Sequence, residues 1–124
     1  MTRKILVVDD DEAIRLVLRA SLEFTTGWRV LTAASGKEAL EIACAEQPDA
    51  ILLDVMMPEM DGIALFHQLQ LEPLAQAIPA IFLTAQARDA ERKALAALGK
   101  GVILKPFEPT AIAQQIRTLL HWPA

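Results

Sequence analysis

Ile5-Leu6-Val7-Val8-Asp9-Asp10-Asp11 sets four apolar residues directly against three carboxylates, and this junction decides the fold. A short apolar run without polar alternation is the pattern of a strand buried on both faces. Four similar runs follow, Val30–Ala33, Ala50–Leu53, Ala80–Leu83 and Val102–Leu104. Between and after them lie segments of helical period. Ile14, Val17, Leu18 and Leu22 mark the first; Leu40, Ala43 and Cys44 the second; Ile63, Phe66 and Leu69 the third. Ala94, Leu95 and Leu98 mark the fourth, and Ile112, Ile116, Leu119 and Leu120 the last. Ser35-Gly36-Lys37-Glu38 reads as a capping box, and Asp61-Gly62 opens the third helix. Gly99 and Gly101 end the fourth, and Pro109 suits the first turn of the fifth. Five strands alternating with five helices predict a single doubly wound α/β domain with a parallel sheet.

Length and composition agree. The chain has 124 residues, 53% hydrophobic and 23% charged, enough for one well-buried core and too apolar for a disordered chain. Twelve basic against 16 acidic residues give a net charge of −4, which disfavours a nucleic-acid surface built from clustered Lys and Arg. The single cysteine, Cys44, excludes an internal disulfide and a cysteine metal cluster, and is read as an inert core thiol. Charges interrupt every long apolar run, so no membrane span is expected. The expected setting is the reducing cytoplasm.

Right-handed crossovers put the C-terminal ends of all strands on one edge, where ligands of such sheets bind. The first strand ends in Asp9, Asp10 and Asp11; the third in Asp54; the fourth in Thr84; the fifth in Lys105-Pro106. If the first and third strands are neighbours, Asp9, Asp10 and Asp54 crowd together, and a cation relieves their repulsion. An all-oxygen ligand set with room for water selects a hard ion and suits Mg²⁺. Lys105 adds a point charge able to pair with a carboxylate or a phosphoryl oxygen, and Thr84 adds a hydroxyl. These parts suit phosphoryl transfer, with Asp54, alone at its strand end, as the nucleophile. Asp11 and Glu12 are read as ordinary acids of a helix N-terminus. Met56, Met57 and Met60 are read as apolar packing at the site mouth, and Trp28 and Trp122 as edge residues.

The chain resembles the receiver domain of two-component response regulators. Four pieces carry the likeness in family order: Ile5–Asp11, Leu52–Gly62, Leu83-Thr84-Ala85 and Lys105-Pro106-Phe107. The resemblance covers essentially the whole chain and implies a (βα)5 flavodoxin-like domain over residues 1–124, with strand order 2-1-3-4-5. Since the sequence stops right after its last helix, no output domain is expected within it, whether it is a stand-alone regulator or a receiver excised from a larger protein. It further implies that Asp54 accepts a phosphoryl group from the phosphohistidine of a sensor histidine kinase or phosphotransfer protein. Mg²⁺ would be held by Asp10, Asp54 and the backbone carbonyl of Met56, with Asp9 acting through water. Thr84 and Lys105 would bind phosphoryl oxygens, and the Lys105–Pro106 bond would be cis. The domain would then be a switch for partner binding, an enzyme only toward itself.

One position departs from the family. Val102 stands where relatives commonly carry Tyr or Phe, and the chain has no tyrosine. The segment 99–103 is also about one residue shorter than in many relatives. A signal would then travel through the backbone near Thr84 and the glycines around Lys100.

Three other classes compete. A small-molecule phosphohydrolase wants a second acid two residues past its nucleophile, but Met56 stands there. A flavin carrier wants a phosphate-cradling loop after the first strand, and none follows. A docking-only pseudo-receiver would not need Asp10, Asp54, Thr84 and Lys105 together.

Overall fold

The computed structural model describes residues 2–85 and 88–123, so both ends of the 1–124 span, Met1 and Ala124, lie outside the described residues. Five strands and five helices alternate: β1 (Lys4–Val8), α1 (Glu12–Thr26), β2 (Arg29–Ala33), α2 (Gly36–Glu46), β3 (Ala50–Asp54), α3 (Gly62–Leu71), β4 (Ala80–Thr84), α4 (Asp89–Leu98), β5 (Gly101–Leu104) and α5 (Ile112–Leu120). All strand pairings are parallel, in the order β2-β1-β3-β4-β5. The predicted doubly wound sheet is therefore the observed one.

Two-residue periodicity divides each strand between two cores. Leu6, Val8, Ile51, Leu53 and Phe82 face α2, α3 and α4 through Ala39, Ala43, Leu65, Leu69 and Leu95. Ile5, Val7, Leu52, Ile81 and Leu83 face α1 and α5 through Leu18, Leu22, Ile112 and Ile116. Because both faces are covered, polar alternation is absent from the central strands, which is why their runs read as continuously apolar.

The helix starts explain themselves locally. The Asp11 side chain accepts from the N–H groups of Ala13 and Ile14 and caps α1. Ser35 Oγ accepts from the Glu38 N–H at 3.2 Å. The returning Glu38 carboxylate takes the Ala34 N–H, one residue before the partner a regular capping box would use. Asp61 caps α3 by accepting from the Ala64 N–H at 2.8 Å.

Several local expectations are corrected. Pro109 lies before α5, not in its first turn. It occupies the second position of a turn closed by the Ala111 N–H on the Glu108 carbonyl, where its fixed φ is favourable. Val17 points outward, 42% exposed, while Leu18 and Leu22 are fully buried. On α4 only Leu95 is buried; Ala94 and Leu98 are exposed. Cys44 is half-buried rather than core. It packs against the α2–α3 side, and burial, then the Glu72 charge, raises its pKa above the ordinary thiol value.

Trp28 and Trp122 meet edge to face at 5.4 Å between ring centroids. The Arg3 guanidinium lies 4.0 Å from the Trp122 ring and that of Arg117 lies 5.2 Å from the Trp28 ring. Both are edge residues as expected, and nothing local in the sequence announces a contact between positions so far apart.

Candidate functional site

Parallel register delivers the strand ends side by side. Val8 pairs with Leu53, so Asp9 follows one strand where Asp54 closes its neighbour. Asp54 pairs with Leu83 and Thr84 with Leu104, which brings Thr84 and Lys105 to the same edge. The Lys105 N–H donates to the Thr84 carbonyl at 2.8 Å. The Lys105–Pro106 bond is cis.

Asp9 is fully buried and held at every polar atom of its β1–α1 junction. Its N–H donates to the Ala33 carbonyl at 3.1 Å. Its Oδ1 accepts from the Asp11 N–H at 2.9 Å, its Oδ2 from Lys105 Nζ at 2.8 Å, and its carbonyl from Arg15 Nη1 at 2.8 Å. Asp10, the next residue, is exposed. Asp54 is 4% exposed, and its Oδ1 accepts from Lys105 Nζ at 3.0 Å. One carboxylate oxygen each from Asp9, Asp10 and Asp54 lie within 4.8 Å of one another.

The structure thus brings together Asp9, Asp10, Asp54 and Lys105, with Thr84 on the adjoining strand end. Asp11 is separated from them in role, because its side chain caps α1. Among the methionines, Met57 is buried and Met60 is half-buried against Gly36. Met56 is 66% exposed and does not pack as expected. Gly62 permits the close approach of α3, because a Cβ there would collide with the Asp54 carbonyl oxygen.

The electrostatics follow from burial. Desolvation pushes the Asp54 pKa up to about 6; the Lys105 hydrogen bond opposes this, the Asp9 charge adds to it, and the Met56 N–H lowers it. For Lys105 burial disfavours the charged form, but hydrogen bonds and charge from Asp9 and Asp54 outweigh it, leaving its pKa above the ordinary lysine value. Two buried acids share one ammonium, with the exposed Asp10 beside them. The donor set is all oxygen and convergent, which fits a hard divalent cation such as Mg²⁺.

Two hollows flank these residues. Ile14, Val17, Ala85, Pro106 and Phe107 line an apolar one of about 410 Å³ beside Lys105. Val102 and Leu104 line another of about 670 Å³ between α4 and α5. Arg15 was not singled out by sequence reading. A cation in the second turn of a helix that starts among acids is the signal that could have found it.

Comparison with known proteins gives a consistent picture. The family model described as response regulator receiver domain matches residues 5–117. The chain is 40% identical over 122 residues to the alkaline phosphatase synthesis transcriptional regulatory protein PhoP of Bacillus subtilis, covering 98% of this chain and 50% of that protein. It is 41% identical over 124 residues to response regulator MprA of Mycobacterium tuberculosis, covering 98% and 52%. The chain therefore spans about half the length of these curated relatives. The solved chemotaxis response regulator CheY4 of Vibrio cholerae superposes with a TM-score of 0.88 at 29% identity, over 96% of this chain and 99% of that one. No helix among the described residues is long and apolar enough to cross a membrane. With the family model spanning Asp9, Asp10, Asp54, Thr84 and Lys105, the chain belongs to the response regulator receiver domain family.

Proposed function

We propose that this domain is a phosphorylation-switched signalling unit in which Asp54 accepts a phosphoryl group from a phosphohistidine. The observation that carries the reading is the shared ammonium, with Lys105 Nζ bridging buried Asp9 and Asp54 at 2.8 and 3.0 Å. A structural ion pair needs one carboxylate. Two carboxylates on one lysine, with a third exposed beside them, leave negative charge for a cation and an incoming phosphoryl group to balance.

Asp10, Asp54 and the Met56 backbone carbonyl would hold Mg²⁺, with Asp9, both of whose oxygens already accept hydrogen bonds, acting through water. When bound, the ion supplies charge neutralisation at the phosphoryl oxygens. An Asp54 carboxylate oxygen attacks phosphorus, the O–P bond forms, the P–N bond breaks, and the imidazole leaves. Lys105 exchanges a carboxylate for a phosphoryl oxygen, and the Thr84 hydroxyl donates to another. The apolar hollow beside Lys105 offers room for the donor's ring. With Val102 unable to act as an aromatic relay, the change spreads through the backbone after β4 and around Lys100, and shifts the population of partner-binding states.

Residues 1–124 act as one receiver unit in a cytoplasmic pathway, fed by a sensor histidine kinase or phosphotransfer protein. Its output partner is a separate segment or protein, and any nucleic-acid contact belongs to that output, since a net charge of −4 disfavours such a contact by this domain. Beryllofluoride with Mg²⁺ tests the reading. Amide shifts around Asp54, Thr84 and Lys105 that vanish in Asp54→Asn support it; no binding by the wild type, or equal binding by the variant, overturns it. Turnover of a phosphate monoester at enzyme-like rates would favour a phosphohydrolase, which the apolar Met56 argues against. A docking-only module would bind partners equally with and without the phosphoryl mimic.

A further inference from the structure

The Arg15 side chain holds the backbone on the N-terminal side of Asp10. Its guanidinium Nη1 donates to the Asp9 carbonyl at 2.8 Å. On the other side the Asp11 carbonyl takes the first main-chain hydrogen bond of α1, from the Arg15 N–H at 3.1 Å, which any residue but proline would supply there. Between these two fixed carbonyls stands the one exposed carboxylate of the acid cluster. Asp9 and Asp11 are also tied by their side chains, Asp9 to the Asp11 N–H and Lys105, and Asp11 to the first turn of α1. No hydrogen bond or ion pair from the Asp10 side chain to another part of the protein is found among the described residues. The placing of its carboxylate therefore depends on its backbone, and the Arg15 side chain holds the Asp9–Asp10 peptide unit on one side of it.

The placement of this cation needs a reason. Arg15 lies in the second turn of α1, near the positive end of the helix dipole, where a cation is disfavoured. It forms no salt bridge within 4.0 Å to a carboxylate among the described residues, so ion pairing does not account for it. What it does contact is the strand-to-loop carbonyl from which the acid cluster hangs.

We propose that Arg15 is a positioning residue for the cation site, aiming the Asp10 carboxylate by clamping, through its guanidinium, the Asp9 carbonyl of the peptide unit that carries it. This rests on the reading that Asp10 and Asp54 hold Mg²⁺. Groups that orient metal ligands without touching the metal commonly change metal affinity by about tenfold or more. Charge alone makes the opposite prediction, because removing a nearby guanidinium strengthens the binding of a cation. The sign of the effect therefore separates the two.

The test is a calorimetric Mg²⁺ titration of the wild type, Arg15→Met and Arg15→Lys, each checked by thermal unfolding and by its amide spectrum. Arg15→Met keeps the apolar stem but loses the donor, and is expected to bind Mg²⁺ about tenfold more weakly, with amide shifts at Asp10 and Asp11 in the metal-free protein. Arg15→Lys retains a donor of similar reach and is expected to recover most of the affinity. Unchanged or tighter Mg²⁺ binding by a folded Arg15→Met protein overturns the proposal and leaves the cation site standing. Weak binding by Arg15→Lys equal to that of Arg15→Met also overturns it. A wild type that binds no Mg²⁺ overturns the cation-site reading itself, and this inference with it. Should Arg15→Met fail to fold, Arg15→Gln, a shorter neutral donor, takes its place under the same criteria.

Discussion

The Lys105 ammonium lies 3.0 Å from Asp54 Oδ1, joining residues 51 positions apart across the edge of the sheet. The same nitrogen lies 2.8 Å from Asp9 Oδ2, so one cation is divided between two buried acids. That division keeps the site poised. Each carboxylate is partly compensated, and neither has a lysine to itself.

Lys105→Met should leave both acids without their cation. The residue is 19% exposed at its side chain, so water compensates part of the loss. A destabilisation of about 2–3 kcal/mol at neutral pH is expected, below the range for fully buried broken pairs. The Asp54 pKa should climb further above its present value of about 6. Urea unfolding and a carboxyl-carbon NMR titration read the two effects, and unchanged stability would show that the lysine is not structurally engaged.

Asp54→Asn should stabilise the metal-free protein at neutral pH. The folded protein protonates Asp54 at about 6 against an ordinary value of 3.8, a gap of about 2 pH units worth about 3 kcal/mol. Because the folded state holds the proton longer, wild-type stability falls as pH rises from about 4 to about 6 and stays lowered above that. Lys105 remains charged throughout this window, since its raised pKa lies far above it. The variant should gain about 1–3 kcal/mol at pH 7 and nothing near pH 4. Denaturation curves across this range in chelator check it; a gain independent of pH would place its origin elsewhere.

Gly62→Ala should damage the site from outside it. A Cβ at this position meets the Asp54 carbonyl oxygen and carbon and the Val55 Cα, all of them backbone atoms that cannot swing aside. The Gly62 N–H also donates to the Val55 carbonyl at 2.9 Å, so α3 and the end of β3 are fixed together. A loss of about 2–3 kcal/mol is expected, at the upper end for overpacking because no side chain can yield. Thermal unfolding measures it, and a loss below 1 kcal/mol would mean that the loop relaxes freely.

The parts legible in sequence are those that burial dictates. The five strand runs lie within the observed strands, each within a residue or so of their ends, because a strand covered on both faces has no polar residue to blur its limits. The strand-end acids, Thr84 and Lys105 were legible for the same reason, as polar residues abruptly ending apolar runs. Less legible were one-sided elements. Val17, Ala94 and Leu98 fit helical spacing yet face outward, since spacing locates a stripe but not its width. Arg15 was hidden because its partner is a backbone carbonyl, which no residue type announces.

Trp122→Ala should be visible in the fluorescence of the remaining tryptophan. Trp28 is 8% exposed and is covered edge-on by Trp122, itself overlain by Arg3. Removing the covering ring takes away an aromatic pair and a cation–π contact and opens Trp28 to water. A loss of about 1–2 kcal/mol and a red-shifted emission are expected. Trp28 precedes the start of β2, whereas the acids lie at the opposite ends of the strands, roughly 16 Å away along a five-residue strand. Mg²⁺ should therefore leave the emission of wild type and variant alike nearly unchanged. An unshifted spectrum in Trp122→Ala would show that Trp28 is not sealed by its neighbour. A clear Mg²⁺-dependent change in the wild type would show that rearrangement at the acids reaches the far end of the sheet.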